Sequence, residues 1–139
     1  MHLERDEISR IIPHAGAMVL LDRVVNWDSS AISCATESHL RLDNPLRRGD
    51  TLPTAAGIEL AGQAMAIHAR LITSAPKRMG LLGGLRDVHM HRDRLDTCRE
   101  PLTVHARLLT SGDAGRMYSF SILGGGDMIL EGRASVFFL

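Results

Sequence analysis

Residues 53–73 read PTAAGIELAGQAMAIHARLIT, and the reading of this stretch decides the fold. Leu52-Pro53-Thr54 supplies a helix start, with Thr54 as the expected N-cap. Helix formers (Ala, Leu, Met, Gln and Glu) fill the interior. On a helical wheel the apolar residues fall on nearly every face rather than on one stripe, the pattern of a helix buried in protein. A length of about 20 residues approaches a membrane span. Glu59, Gln63, His68 and Arg70 interrupt it, so burial in protein and no membrane crossing is expected. Glu59 is a lone carboxylate within that apolar surface. Its burial costs free energy unless it is paired or neutral, so chemistry is expected there.

Upstream, residues 4–12 form a short amphipathic helix with Ile8, Ile11 and Ile12 on one side, stopped by Pro13. His14-Ala15-Gly16-Ala17 is a turn. Residues 18–28, MVLLDRVVNWD, read as a strand and residues 31–38 as its hairpin partner, with Asp22-Arg23 an expected ion pair inside it. A long polar connection, residues 39–52, then delivers the chain into the helix; loops of this kind are often functional. Downstream, Ser74-Ala75-Pro76-Lys77 is a linker, and four strands follow over residues 78–91, 101–110, 116–123 and 128–138. Glycine-rich turns separate them, and Gly83-Gly84 marks a bulge or a close backbone approach. Strands gathered around one apolar helix indicate an α+β class with an antiparallel sheet curled around that helix, as one domain over residues 1–139. One sheet covers only part of a helix, so a second chain is expected to cover the rest.

Composition narrows the function. Sixteen basic and sixteen acidic residues cancel, which argues against a general nucleic-acid binder. Cys34 and Cys98 show neither metal-ligand spacing nor a disulfide framework, as expected of a reducing cytosol. The opening MHLERDEISRII has no apolar core of a secretion signal, so a cytoplasmic location is expected. His89, His91 and Asp93 alternate on one strand face, but with no further strong ligand a solvated face is expected rather than a metal site. No cofactor motif is present: Gly124-Gly125-Gly126 precedes a strand and lacks the lysine of a phosphate loop.

Several motifs occur in the order of a known family. Pro13-His14-Ala15-Gly16-Ala17-Met18-Val19-Leu20-Leu21-Asp22-Arg23-Val24 resembles the opening motif of the hotdog-fold 3-hydroxyacyl-[acyl-carrier-protein] dehydratases. Glu59 to Ala66 is similar to their central-helix motif, with Glu and Gln four apart. The closer likeness is to the divergent dehydratases of aryl polyene and pigment pathways, which share PHAG-M-LLD, Asn44-Pro45-Leu46-Arg47 and the Glu59-to-His68 pattern. The resemblance implies a hotdog fold and dehydration of 3-hydroxyacyl thioesters to trans-2-enoyl thioesters on an acyl carrier protein. It also implies a cytoplasmic homodimer, or a heterodimer with another hotdog subunit. Two departures stand out. The family's catalytic His lies 14 residues before its Glu, and Pro45, beside Asn44, takes that place here. Thr54 stands where the family has the Gly whose N–H polarises the thioester.

Dehydration needs a base for the C2 proton, an acid for the C3 hydroxyl and donors for the thioester oxygen. Glu59 suits the acid, its pKa raised by burial. Structural pairing of Glu59 with Arg23, Arg47 or Arg48 is the competing reading. His14, which opens the strongest motif, is the first candidate base, with a turn residue as its plainer role. His39, at the head of the long loop, is the second candidate. Gln63 lies one turn after Glu59 and orients it or the substrate. Unpaired N–H groups from Thr54 to Gly57 offer a place for the carbonyl, and Asn44, His39, Thr54, Gly57 and Gln63 make up the expected substrate contacts. His68, nine residues past Glu59, faces about 180° away and is a packing residue. Arg47 and Arg48 are the expected carrier-protein contacts, against a default of solvated loop charge. Two other functions fit the same residues: a non-catalytic partner of an active dehydratase subunit, and an acyl thioesterase.

Overall fold

The computed structural model describes residues 2–73, 80–112 and 115–138, so the linker expected at residues 74–77 lies outside the described residues. Short strand β1 (Leu3–Glu4) runs into helix α1 (Arg5–Ile11). A reciprocal capping box between Glu4 and Glu7 starts α1, and the chain turns extended at Ile12, ahead of Pro13. Hairpin β2 (Arg23–Trp27) and β3 (Ala31–Thr36) precedes a 3₁₀ turn at Ser38–Leu40. Helix α2 (Gly57–Thr73) is followed by β4 (Gly80–Met90), β5 (Leu102–Ser111), β6 (Gly115–Gly124) and β7 (Asp127–Phe138).

The seven strands form one antiparallel sheet in the order β1-β2-β3-β5-β6-β7-β4. Period-two patterning turns one face inward: Ile32 and Cys34 from β3, Leu102, Val104 and Ala106 from β5, and Tyr118, Phe120 and Ile122 from β6 are buried. Helix α2 lies against β3, β5 and β6. Its first residue is packed closely against the sheet: a Cβ at Gly57 would come within 2.8 Å of the methyl tips Ile122 Cδ1 and Leu130 Cδ2, which would have to shift. Gly83 marks both expected features: the β4–β7 register shifts between Leu82 and Gly84, and the Phe137 ring fills the space a Cβ at Gly83 would need.

Four expectations are corrected. Helix α2 is not buried all round. Ile58, Glu59, Gly62, Ala66 and Arg70, spaced by a helical repeat, are only partly buried and leave one open stripe. A Cβ at Gly62 would lie 3.9 Å from Leu82 of β4, so this stripe runs beside the strand at the end of the sheet. Thr54 is not an N-cap. A 3₁₀ turn over Thr54–Ala56 opens the helix, and Thr54 Oγ1 is buried without a partner among the described residues. Residues 19–22 are not strand although Val19, Leu20 and Leu21 are buried. Side chains satisfy their backbone groups: Leu20 N–H donates to Gln63 Oε1, the Leu20 carbonyl accepts from Thr36 Oγ1, and the Val19 carbonyl accepts from Arg5. Finally, Asp22 pairs with Arg41 at 2.8 Å rather than with Arg23. Sequence neighbours in extended chain point to opposite sides, so an adjacent pair does not meet.

Candidate active site

Pro13 ends the first helical segment, and Gly16, at φ 59°, supplies the left-handed turn that brings the chain back over α2. His14 sits in that return. Its Nε2 lies 3.0 Å from Glu59 Oε1, and the two side chains keep 27% and 36% of their exposure. Glu59 is thus neither lone nor deeply buried: it stands on the open stripe of α2 with an imidazole as partner. His14 Nδ1 is enclosed and unpartnered among the described residues.

Gln63 shares this face one turn later, as i,i+4 spacing requires. It is 1% exposed and fully engaged. Its Nε2 donates to the Met18 carbonyl at 2.7 Å and reaches Glu59 Oε1 at 3.5 Å, while its Oε1 accepts from Leu20 N–H at 3.0 Å. Arg5 donates to the carbonyls of Gly16 and Val19, each at 3.0 Å, and closes the other side of the turn. Arg5 carried no sequence signal beyond its place in an amphipathic helix, because its partners are backbone atoms far along the chain.

The other expected site residues do not join this pair. His39 is fully buried, and its Nε2–H is shared between the carbonyls of Cys98 and Glu100 at 2.9 and 3.0 Å. Burial holds its pKa below the ordinary histidine value, against the pull of those carbonyls. Asn44 is buried and folds the loop, donating to the Ser38 carbonyl and accepting from Leu46 N–H. The Thr54 N–H donates to the Asp93 carbonyl beside the Pro53–Arg94 bridge, and the Ala56 and Gly57 N–H groups donate to the Pro53 and Thr54 carbonyls, because a 3₁₀ opening closes its bonds one residue earlier. Gly57 itself is packed into the sheet. Arg47 donates to the carbonyls of His39, Arg41 and Asp50 and so holds the loop together, whereas Arg48 is exposed.

His68 faces away from Glu59, as helix geometry requires. It is buried, with Nε2–H on the Asp28 carbonyl and Nδ1 accepting the Tyr118 hydroxyl, both at 2.8 Å. Burial lowers the pKa of this ring and pushes Tyr118 up to about 12. Asp96 was not anticipated. It accepts from Leu52 N–H and pins the entry to α2, while Arg94 beside it holds its carboxyl down at about 2. A cleft of about 570 Å³ lies on the opposite face of the sheet, between Ser33, His105, Ser121, Glu131 and Arg133, and includes neither His14 nor Glu59. Among the described residues no group of three or more His, Cys, Asp or Glu is placed to hold a metal ion, and no helix is long and apolar enough to cross a membrane.

A directly bonded imidazole and carboxylate can pass one proton between them, so the pair can both accept and deliver a proton beside a bound substrate. Residues 6–138 match the model of the ApeP-like family, described as ApeP dehydratase. No match was found among curated proteins. Among solved structures the chain is similar to the dehydratase heterocomplex ApeI:P from Xenorhabdus doucetiae, with TM-score 0.84 and 23% identity over 95% of this chain and 90% of that one. It is also similar to the Escherichia coli PaaI protein from the phenylacetic acid degradation operon (TM-score 0.64, 12% identity, 96% and 88% covered). A mutant of the thioesterase PA1618 from Pseudomonas aeruginosa follows (TM-score 0.63, 14% identity, 84% and 80% covered). At these identities the structural likenesses speak for the fold, which is the hotdog fold.

Proposed function

This chain belongs to the ApeP-like dehydratase family, and from that premise we propose that it dehydrates 3-hydroxyacyl thioesters held on an acyl carrier protein, giving trans-2-enoyl thioesters. The observation that carries the reading is the 3.0 Å contact between His14 Nε2 and Glu59 Oε1. In this account His14 is the base and Glu59 the acid. The imidazole takes the C2 proton, the C3–O bond breaks, and protonated Glu59 supplies the proton with which the hydroxyl leaves as water. The proton gained by the imidazole then returns to the carboxylate through their shared hydrogen bond, and the pair is reset without a cofactor. Exposed Arg48 remains available to an acidic carrier protein, and Arg47 supports the loop that presents it.

A second reading is favoured by the open stripe of α2. Ile58, Gly62 and Ala66 flank Glu59 beside the terminal strand β4, which leaves a surface suited to another hotdog chain. On this reading the chain is the non-catalytic half of a heteromeric dehydratase, paired with a different, active hotdog subunit in a cytoplasmic polyene pathway. One experiment separates the readings. A 3-hydroxyacyl carrier protein is incubated with the purified chain, alone and with a second hotdog subunit. Loss of water by the chain alone supports the first reading. Loss of water only with the added subunit supports the second. Release of free carrier-protein thiol instead marks a thioesterase and overturns both.

A further inference from the structure

We infer that Gln63 is the positioning residue of the His14–Glu59 pair: its amide holds the turn that carries His14 against helix α2. The inference rests on reading that pair as the reacting groups. A primary amide offers the same donor and acceptor as a peptide unit. Gln63 uses both as a neighbouring strand would, accepting from Leu20 N–H and donating to the Met18 carbonyl. Those backbone groups lie where the chain has no strand partner, between the 3₁₀ turn at Gly16–Met18 and the start of β2.

The same Nε2 also reaches Glu59 Oε1, so one side chain touches the carboxylate and fixes the segment that presents the imidazole. Because Glu59 and Gln63 project from successive turns of one helix, the distance between the turn and the carboxylate is set by helix geometry. Arg5 grips the turn from outside, on the Gly16 and Val19 carbonyls, and among the described residues its hydrogen bonds go to those carbonyls and not to Glu59. Gln63 alone among these clamps therefore couples backbone position to the reacting carboxylate. A shift of about 1 Å in such a pair is enough to cost on the order of 100-fold in rate.

The test uses Gln63→Met, which keeps length and removes both hydrogen-bonding functions, and Gln63→Asn, which keeps the amide but shortens its reach. The direct readout is the nuclear Overhauser contact between the His14 ring protons and the Glu59 side chain, recorded well below each variant's melting temperature. It needs no turnover, so it stays readable even where the dehydratase reading fails. The expected result is loss of at least about three-quarters of that contact in whichever variant folds. Alongside it, kcat falls by roughly 10- to 100-fold with KM little changed. A folded variant that keeps the His14–Glu59 contact at full strength overturns the inference, whatever its melting temperature.

Discussion

His14 Nε2 and Glu59 Oε1 meet at 3.0 Å although 45 residues separate them in the chain. They meet because a turn locked by Gln63 and Arg5 is laid over the first two turns of α2, which carry Glu59 and Gln63. If the two groups act as one proton-handling unit, their removal is not additive. His14→Asn and Glu59→Gln are each expected to lower kcat by about 10²- to 10⁴-fold. The double variant should lose little more than the worse single one. A full double-mutant cycle of dehydration rates checks this.

His39 is expected to matter for stability and not for chemistry. Its Nε2–H serves the buried Cys98 carbonyl and the part-buried Glu100 carbonyl, and His39→Leu takes this donor from both, at greatest cost at the buried one. The expected cost is about 1–3 kcal/mol, read from the urea midpoint, with turnover of the folded fraction unchanged. A selective loss of turnover at unchanged stability would return His39 to the site.

Two buried histidines set an acid limit. Burial holds His39 and His68 below their ordinary value of 6.5 in the fold. Below that pH the unfolded chain binds more protons than the native one, so stability falls with falling pH. It is fully present above about 6.5 and is lost as the pH drops toward the depressed native values. Melting temperature against pH should therefore decline on the acid side, and His68→Gln should flatten part of that decline.

Gly57→Ala tests the seat of α2. The added methyl group would meet Ile122 and Leu130 at 2.8 Å, in the tight angle between helix and sheet. Overpacking of this kind costs about 1–3 kcal/mol. Thermal unfolding is expected to show it, with the neighbouring leucine and isoleucine tips yielding only in part.

The fold was legible where one residue period dominates. Residues 102–106 and 118–122 alternate cleanly and become strands, and Gly83-Gly84 announced the bulge it makes. His68 could be turned away from Glu59 by helix geometry alone. What local pattern hides is contact with distant backbone. The apolar run Val19-Leu20-Leu21 is buried like a strand but has its polar groups met by Gln63, Thr36 and Arg5, and no periodicity reveals that. The loop residues Asn44 and Arg47 read as ligand contacts because they are polar. They are in fact spent on the loop's own carbonyls and N–H groups. The sequence singled out Glu59 as a candidate acid and His14 as its companion, and the two are in contact. The surroundings of Glu59 are more open than an apolar helix suggested, because one stripe of α2 is not covered by this sheet.

The central claim is that Glu59 handles a proton in the dehydration of a carrier-bound 3-hydroxyacyl group. Glu59→Gln keeps the size and the hydrogen-bonding capacity of the side chain and removes its exchangeable acid proton. The decisive measurement is intact-mass detection of water loss from a 3-hydroxyacyl carrier protein, with wild-type and Glu59→Gln protein of matched melting temperature and matched subunit composition. The account predicts conversion by the wild-type assembly and loss of at least about 100-fold of that rate in the variant. A Glu59→Gln protein that removes water at the wild-type rate would contradict it.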